Sequence, residues 1–131
     1  MELPEVRHTV TPYFTVSDAD QLIDFLVDVF DGVAVAMKRY PTGRIQHARV
    51  RIGDSVIMVN ESTERYPVNV SQMHIFVDDA DSVYAKALAN GANTVMELND
   101  RPYGDRMGGV KDPCGNIWWI ATQCSFAKQR V

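Results

Sequence analysis

Cysteine is scarce in this sequence. Only Cys114 and Cys124 occur among 131 residues, and they do not form a C-x-x-C pair. A cysteine-ligated zinc site needs closely spaced thiols or histidines, so the pattern excludes one. Two isolated cysteines favour reduced thiols over a disulfide, as is usual for a protein of the cytoplasm.

Long apolar runs and an excess of basic residues are also missing. No apolar run approaches the roughly 20 residues that span a bilayer, and residues 1–5 lack the basic and apolar regions of a signal peptide. Basic side chains number 13 against 17 acidic ones, for a net charge of −4. Nucleic-acid binding requires clustered Lys and Arg. We therefore expect a cytoplasmic protein that binds neither nucleic acid nor a membrane.

Apolar residues are plentiful, at 46% of the chain, and they are arranged in two copies of one pattern. Residues 13–20 (YFTVSDAD) align with residues 74–81 (HIFVDDAD) at an offset of 61 positions, which separates Val16 from Val77. The same offset places 56–59 over 117–120. A common offset near half the chain length predicts an internal duplication. We expect one domain over 1–131, with repeat one at about 7–61, a linker at about 62–69 and repeat two at about 70–124.

Each repeat reads as a strand, a helix and three further strands. Ser17 followed by Asp20 predicts the first helix start, and Asp31-Gly32 its end. The second helix is expected to begin at Asp78 or Asp79 and to stop at Asn90-Gly91. Apolar residues at three- and four-residue spacing predict the buried stripe of the first helix: Ala19, Leu22, Ile23, Leu26 and Phe30.

Strand-like segments bounded by turn residues account for most of the remaining chain. They are expected at 11–16, 33–40, 45–52, 55–60, 94–98, 107–111 and 116–122. The glycine-rich stretch 104–109 lacks the features of a phosphate-binding loop, and we expect it to form a flexible flap.

Several local motifs accompany this order of elements. They are Pro12-Tyr13-Phe14, the helix starts at 16–19 (VSDA) and 77–81 (VDDAD), Gly91-Ala92, 103–106 (YGDR) and the ending 110–118 (VKDPCGNIW). Together they resemble the vicinal oxygen chelate superfamily, which includes glyoxalase I, extradiol dioxygenases and the fosfomycin- and bleomycin-resistance proteins. The resemblance implies an α+β fold in which two tandem βαβββ units form a cupped mixed sheet. Small members of that superfamily usually pair as homodimers, so that each cup combines halves of two chains.

The resemblance also assigns four positions at which the enzymes of the superfamily hold a divalent metal with His, Glu or Gln. In this sequence they are Thr11, Met58, Gln72 and Trp119. Threonine, methionine and tryptophan supply neither carboxylate oxygen nor imidazole nitrogen. We therefore expect no metal, no cofactor and no catalytic residue. The alternative is a metal-dependent lyase, isomerase or dioxygenase with a degenerate site around Gln72 and His74. His8 and His47 are expected to be solvated or packed imidazoles.

Strand alternation places side chains of mixed polarity on one side of the predicted strands, opposite an apolar side that the helices would cover. The mixed set is Thr11, Tyr13, Thr15, Met58, Asn60, Gln72, His74, Phe76 and Trp119. Such a mixture suits a ligand cavity better than a dry core.

Trp119 offers a broad plate that, with Tyr13, Phe76 and Met58, would stack an aromatic ligand. The resemblance to antibiotic-sequestering proteins therefore predicts that the ligand is an aromatic or peptide-type antibiotic. Two alternatives stay open: a cup filled by its own side chains, and acid–base chemistry by His74 with Tyr13. Trp118 is assigned to core packing.

Overall fold

A computed structural model describes residues 8–123 of the chain. Within that range the order of strand, helix and three strands occurs twice, which confirms the predicted α+β fold and its βαβββ repeat. In chain order the elements are β1 (Tyr13–Val16), α1 (Ala19–Phe30), β2 (Val33–Arg39), β3 (Ile45–Ile52), β4 (Ser55–Glu61), β5 (Gln72–Phe76), α2 (Ala80–Ala89), β6 (Asn93–Asp100), β7 (Asp105–Lys111) and β8 (Ile117–Gln123). Neither helix is long and apolar enough to cross a membrane.

Each repeat forms its own four-stranded sheet. The strand orders are β1-β4-β3-β2 and β5-β8-β7-β6, so the leading strand of each repeat lies at a sheet edge and pairs in parallel with the closing strand. Tyr13 lies opposite Met58 in the first sheet, and His74 lies opposite Trp119 in the second. Both members of the second pair follow those of the first by 61 positions, so the duplication holds at the level of register.

The first helix start differs from the prediction by one residue, whereas the second lies at Asp79, one of the two predicted positions. The carboxylate of Asp18, not the hydroxyl of Ser17, accepts the amide hydrogen of Gln21 at 3.1 Å, because Asp18 is the last residue with extended backbone before α1. Asp79 caps α2 in the same way and accepts from the Ser82 amide at 3.2 Å. Both caps are aspartates, whose charge also complements the positive end of the helix dipole.

The strand bounds required two further corrections. β1 begins at Tyr13, so Thr11 precedes it; Pro12 has no amide hydrogen to donate to the ladder. The predicted flap at 104–109 is wrong, because Asp105–Lys111 is a strand paired to neighbours on both sides. The glycines of this strand provide space for two aromatic rings rather than flexibility.

The helix-covered sides of the two sheets form a common core. The rings of Phe14 and Trp118 stack with centroids 5.8 Å apart, and Phe30 lies 4.9 Å from Trp118. The predicted stripe of α1 is buried throughout, and Trp118 is a core residue as expected. Because the halves meet through their helix-covered sides, the opposite sides of the two sheets point away from each other.

A buried aspartate organises the turn before β8. The Asp112 carboxylate accepts hydrogen bonds from the amides of Cys114 and Asn116, at 2.8 and 3.0 Å, and from the indole nitrogen of Trp118 at 2.8 Å. Burial nevertheless raises the pKa of Asp112, since desolvation outweighs the bonds from Trp118 and the backbone. This turn therefore fixes the indole that joins the two halves.

Cys114 lies at the same junction. Its Sγ approaches the Asp18 carbonyl oxygen at 3.5 Å, and the cysteine forms no disulfide. Burial, together with the negative charge of Asp112, raises the pKa of the thiol to about 11. The thiol is therefore protonated and unreactive at neutral pH. Cys124 lies outside the described residues, so the expectation about it stays a prediction.

Candidate functional site

Within residues 8–123, each sheet has one side that neither α1 nor α2 covers, which we call its open face. Residues paired in register share a face, so Tyr13, Thr15, Met58 and Asn60 lie together on the first open face. Gln72, His74, Phe76 and Trp119 lie together on the second. Tyr13 is 45% exposed and Phe76 is 65% exposed, although both are large aromatic side chains. The structure thus assembles the predicted set as two groups of four, with Thr11 ahead of β1.

The two groups are not brought together within one chain. The halves pack through Phe14, Phe30 and Trp118 on their helix-covered sides, and this packing turns the open faces outward. The acid–base role of His74 with Tyr13 stays a prediction. Tyr13 instead lies beside His47, with its hydroxyl 3.2 Å from the imidazole Nδ1.

Trp119 is held in one orientation on the second open face. Its indole N–H donates to the side-chain oxygen of Gln72, the first residue of the neighbouring strand, at 2.9 Å. A Cβ added to Gly109, which lies opposite Trp119 in β7, would come within 2.5 Å of the indole ring. The ring therefore rests against the backbone of β7, where only glycine leaves room for it. Trp119 is half-buried, which leaves part of the indole accessible.

Further aromatic surface adjoins the indole. The rings of His74 and Phe76 meet edge to face with centroids 4.6 Å apart. His74 is the register partner of Trp119, so these three side chains occupy neighbouring positions on two strands. The second open face therefore presents a mainly apolar, aromatic surface.

The first open face is more polar. The Thr15 hydroxyl donates to the Asn60 side-chain oxygen at 2.7 Å, which leaves the amide nitrogen of Asn60 as a donor. Arg49 pairs in register with Met58, and His47 pairs with Lys38, so cationic side chains share this face with Tyr13. The sequence alone did not group these side chains, because the register that brings them together depends on strand pairing.

The four positions at which superfamily enzymes hold a metal do not suit one here. The side-chain oxygen of Gln72, the one ligand-type atom among them, accepts the indole hydrogen of Trp119. The indole itself has no lone pair to offer a cation. Across residues 8–123, no three His, Cys, Asp or Glu side chains converge as a metal site would require.

A cavity of about 700 Å³ lies elsewhere, between the two halves. It is lined from the first half by Phe30 and Ile57 and from the second by Ile75 and Val77, with Trp118 between them. His74 and Phe76 border it, whereas the other seven residues of the predicted set do not. The cavity lies mainly on the helix-covered side of β5 and reaches the second open face at His74 and Phe76.

Comparison with known proteins places the chain among relatives of the same fold. A family model described as the glyoxalase/bleomycin resistance protein/dioxygenase superfamily matches residues 6–120. The Mycobacterium bovis protein Mb0911c is 33% identical over 124 residues, which cover 86% of this chain and 82% of that protein.

Two solved structures are similar over nearly their whole length. TioX from Micromonospora sp. ML1 is 27% identical, with a TM-score of 0.75, over 90% of this chain and all of that chain. TnmS3, described as an antibiotic binding protein from Streptomyces sp. CB03234, is 19% identical, with a TM-score of 0.69, over 93% of this chain and all of that chain. At that identity the likeness to TnmS3 shows the fold alone.

Proposed function

Because the chain belongs to the glyoxalase/bleomycin resistance protein/dioxygenase superfamily, we propose that it is a binding protein that sequesters a planar aromatic or peptide-type antibiotic without a metal. The observation that carries this proposal is the fixed, accessible indole of Trp119, held by Gln72 and by the space over Gly109. A rigid aromatic plate binds a flat ligand with little loss of conformational entropy. We place the protein in the cytoplasm as part of the same proposal.

The proposed site is a cup shared by two copies of the chain. One open face carries the aromatic residues and the other the polar ones, and neither alone encloses a ligand. Exposed aromatic side chains at the edge strands β1 and β5, Tyr13 and Phe76, are the kind of surface that a partner covers. A two-fold dimer would set the first open face of each copy against the second open face of its partner and so create two equal cups.

Two considerations favour binding over catalysis. The residues at the four metal positions are chemically unsuited to a divalent cation, and the hydrogen bond to Trp119 engages the Gln72 oxygen. Antibiotic binding is also the description given to TnmS3, which shares the fold. The same fold serves many chemistries, so the site residues carry more weight than the fold.

The test is a titration of tryptophan fluorescence in the full-length protein. Planar aromatic antibiotics are expected to quench the emission of Trp119 in a saturable way, with the same affinity in the presence and absence of EDTA. Sedimentation of the same sample is expected to show a dimer. A response to added divalent metal with none to any antibiotic would contradict the proposal and would favour the metal-dependent enzyme.

A further inference from the structure

The cavity between the two halves is a second candidate site, which the stacking role of Trp119 does not explain. Its volume of about 700 Å³ lies in the range of pockets that hold drug-sized molecules. Its apolar walls come from both halves of the chain and include Phe30, Ile57, Ile75, Val77, Val83 and Trp118. Trp119 does not line it.

The duplication explains why this space is not filled by the protein itself. Three large side chains of α1 are buried, namely Leu22, Leu26 and Phe30. At the offset of 61 positions the second repeat has three smaller residues, namely Val83, Ala87 and Gly91. The second helix therefore fills less of the interior than the first.

The leading strands show the result of this difference. Phe14 and Val16 of the first repeat have no exposed surface. Ile75 and Val77, their counterparts 61 positions later, are only half-buried, and both line the cavity. Apolar surface that is covered in one repeat and accessible in the other is surface that a ligand can cover.

Carboxylates lie at the opening of the cavity. In the part of the chain that the structure describes, four exposed aspartates from three loops line it, namely Asp31, Asp54, Asp78 and Asp79. Among residues 8–123 no lysine or arginine lines the cavity, and none forms an ion pair with these aspartates. A cleft lined by charges of one sign attracts ligands of the opposite sign.

We propose that this cavity binds a hydrophobic cation, a drug-sized amine whose apolar body lies on the walls and whose charge faces the four aspartates. The inference goes beyond the proposed function, because its site does not include Trp119. A neutral apolar molecule would use only the walls, and a small inorganic cation would use only the carboxylates. Because the aspartates are exposed, their attraction for the amine depends on ionic strength.

Equilibrium dialysis with two matched probes, adamantylmethylamine and adamantylmethanol, tests the inference on the full-length protein. The probes share one apolar cage, differ in charge and have no flat ring to stack on Trp119. At low ionic strength we expect the amine to bind about 5- to 10-fold more tightly than the alcohol, and high salt should reduce this difference.

The double variant Asp31→Asn/Asp78→Asn should weaken binding of the amine about 3-fold and leave the alcohol unchanged. Asparagine tolerates the left-handed backbone of residue 31, so the variant should fold. The matched control is Asp24→Asn/Asp28→Asn, which changes the net charge equally at two exposed positions of α1 that do not line the cavity. It should alter the binding of neither probe.

The variant Val83→Phe tests the apolar walls, because its ring would occupy part of the cavity. It should weaken the binding of both probes at least about 5-fold, with thermal melting to confirm that the variant is folded. Sedimentation of the same samples shows whether a second copy of the chain covers the cavity instead. A changed oligomeric state in any of these variants would indicate that it does and would overturn the inference.

Other results would also overturn it. They are equal affinity for the two probes at low salt, equal losses of amine binding in the two double variants, unchanged binding of both probes by Val83→Phe, and binding of neither probe by the folded protein. Each of these results leaves the proposed stacking on Trp119 intact, because Trp119 does not line the cavity.

Discussion

Replacing Trp119 with alanine is expected to weaken the binding of a planar aromatic antibiotic at least about 100-fold, or about 2.7 kcal/mol. The variant removes the plate on which the ligand ring would stack and leaves the Gln72 oxygen without its donor. The fold should persist, because Trp119 is only half-buried and Trp118 carries the core contact between the halves. Calorimetric titration and thermal melting of the same samples measure both quantities.

A second variant moves the ring without removing it. In Gly109→Ala the new methyl group would overlap the indole, whose nearest ring carbon is 2.5 Å from the added Cβ, so the ring must swing away from Gln72. Binding should fall at least about 10-fold. Gly108→Ala is the matched control, because its Cβ would meet Tyr84 on the helix-covered side at 2.8 Å. That variant should lose about 1–3 kcal/mol of stability but keep its affinity when folded.

Together these variants distinguish residues of the open face, which should affect ligand binding, from residues of the interior, which should affect stability. Tyr66→Ala, which removes an aromatic side chain that is 57% exposed in the linker, should affect neither binding nor stability. If Trp119→Ala bound the antibiotic with unchanged affinity, the stacking role would be refuted. The cavity between the halves, which Trp119 does not line, would then become the better candidate site.

The largest loss of stability is expected for Asp112→Ala. This substitution leaves three donors without their acceptor: the amides of Cys114 and Asn116 and the indole N–H of Trp118. Each buried donor left unpaired costs about 1–3 kcal/mol, so a free energy of unfolding lower by about 3 kcal/mol or more is expected. Urea denaturation followed by circular dichroism measures this difference.

The duplication supplies a matched control for Asp112. Asp54 occupies the corresponding turn of the first repeat, between β3 and β4. It is exposed, and its carboxylate accepts a long hydrogen bond of 3.4 Å from the Ser55 hydroxyl. Asp54→Ala should change the unfolding free energy by less than about 0.5 kcal/mol. Equal effects of the two variants would show that Asp112 does not organise its turn as described.

Much of the fold was predictable because it depends on patterns among residues close together in the sequence. The apolar spacing of α1 identified its buried stripe, and the offset of 61 positions identified the repeat and the correspondence of its strands. Trp118 was recognisable as a core residue because it alternates with Trp119 along one strand. Helix starts were located to within one residue, since serine and aspartate compete for the same capping position.

The geometry of the site was not predictable, because it depends on contacts between residues far apart in the sequence. The bond from Trp119 to Gln72 joins positions 47 residues apart and requires the parallel pairing of β5 with β8. In the sequence, glycines 108 and 109 predict a flexible segment, because nothing nearby shows that they lie in a strand. In the structure they lie in a paired strand, where rings from α2 and β8 lie against them. The partner of Tyr13 was likewise missed, since His47 comes from another strand.

The central proposal is a cup built from the first open face of one copy and the second open face of another, and a purified heterodimer tests it most directly. One chain would carry Trp119→Ala and the other Met58→Asp, each with its own affinity tag, and neither homodimer should bind a planar aromatic antibiotic. In a two-fold dimer with shared cups, one of the two cups in the heterodimer keeps both faces intact.

Calorimetry of this heterodimer should therefore show one ligand per dimer, bound with the affinity of the wild-type protein. A heterodimer that binds no ligand would contradict a shared cup, because each chain would then have to supply the whole site by itself.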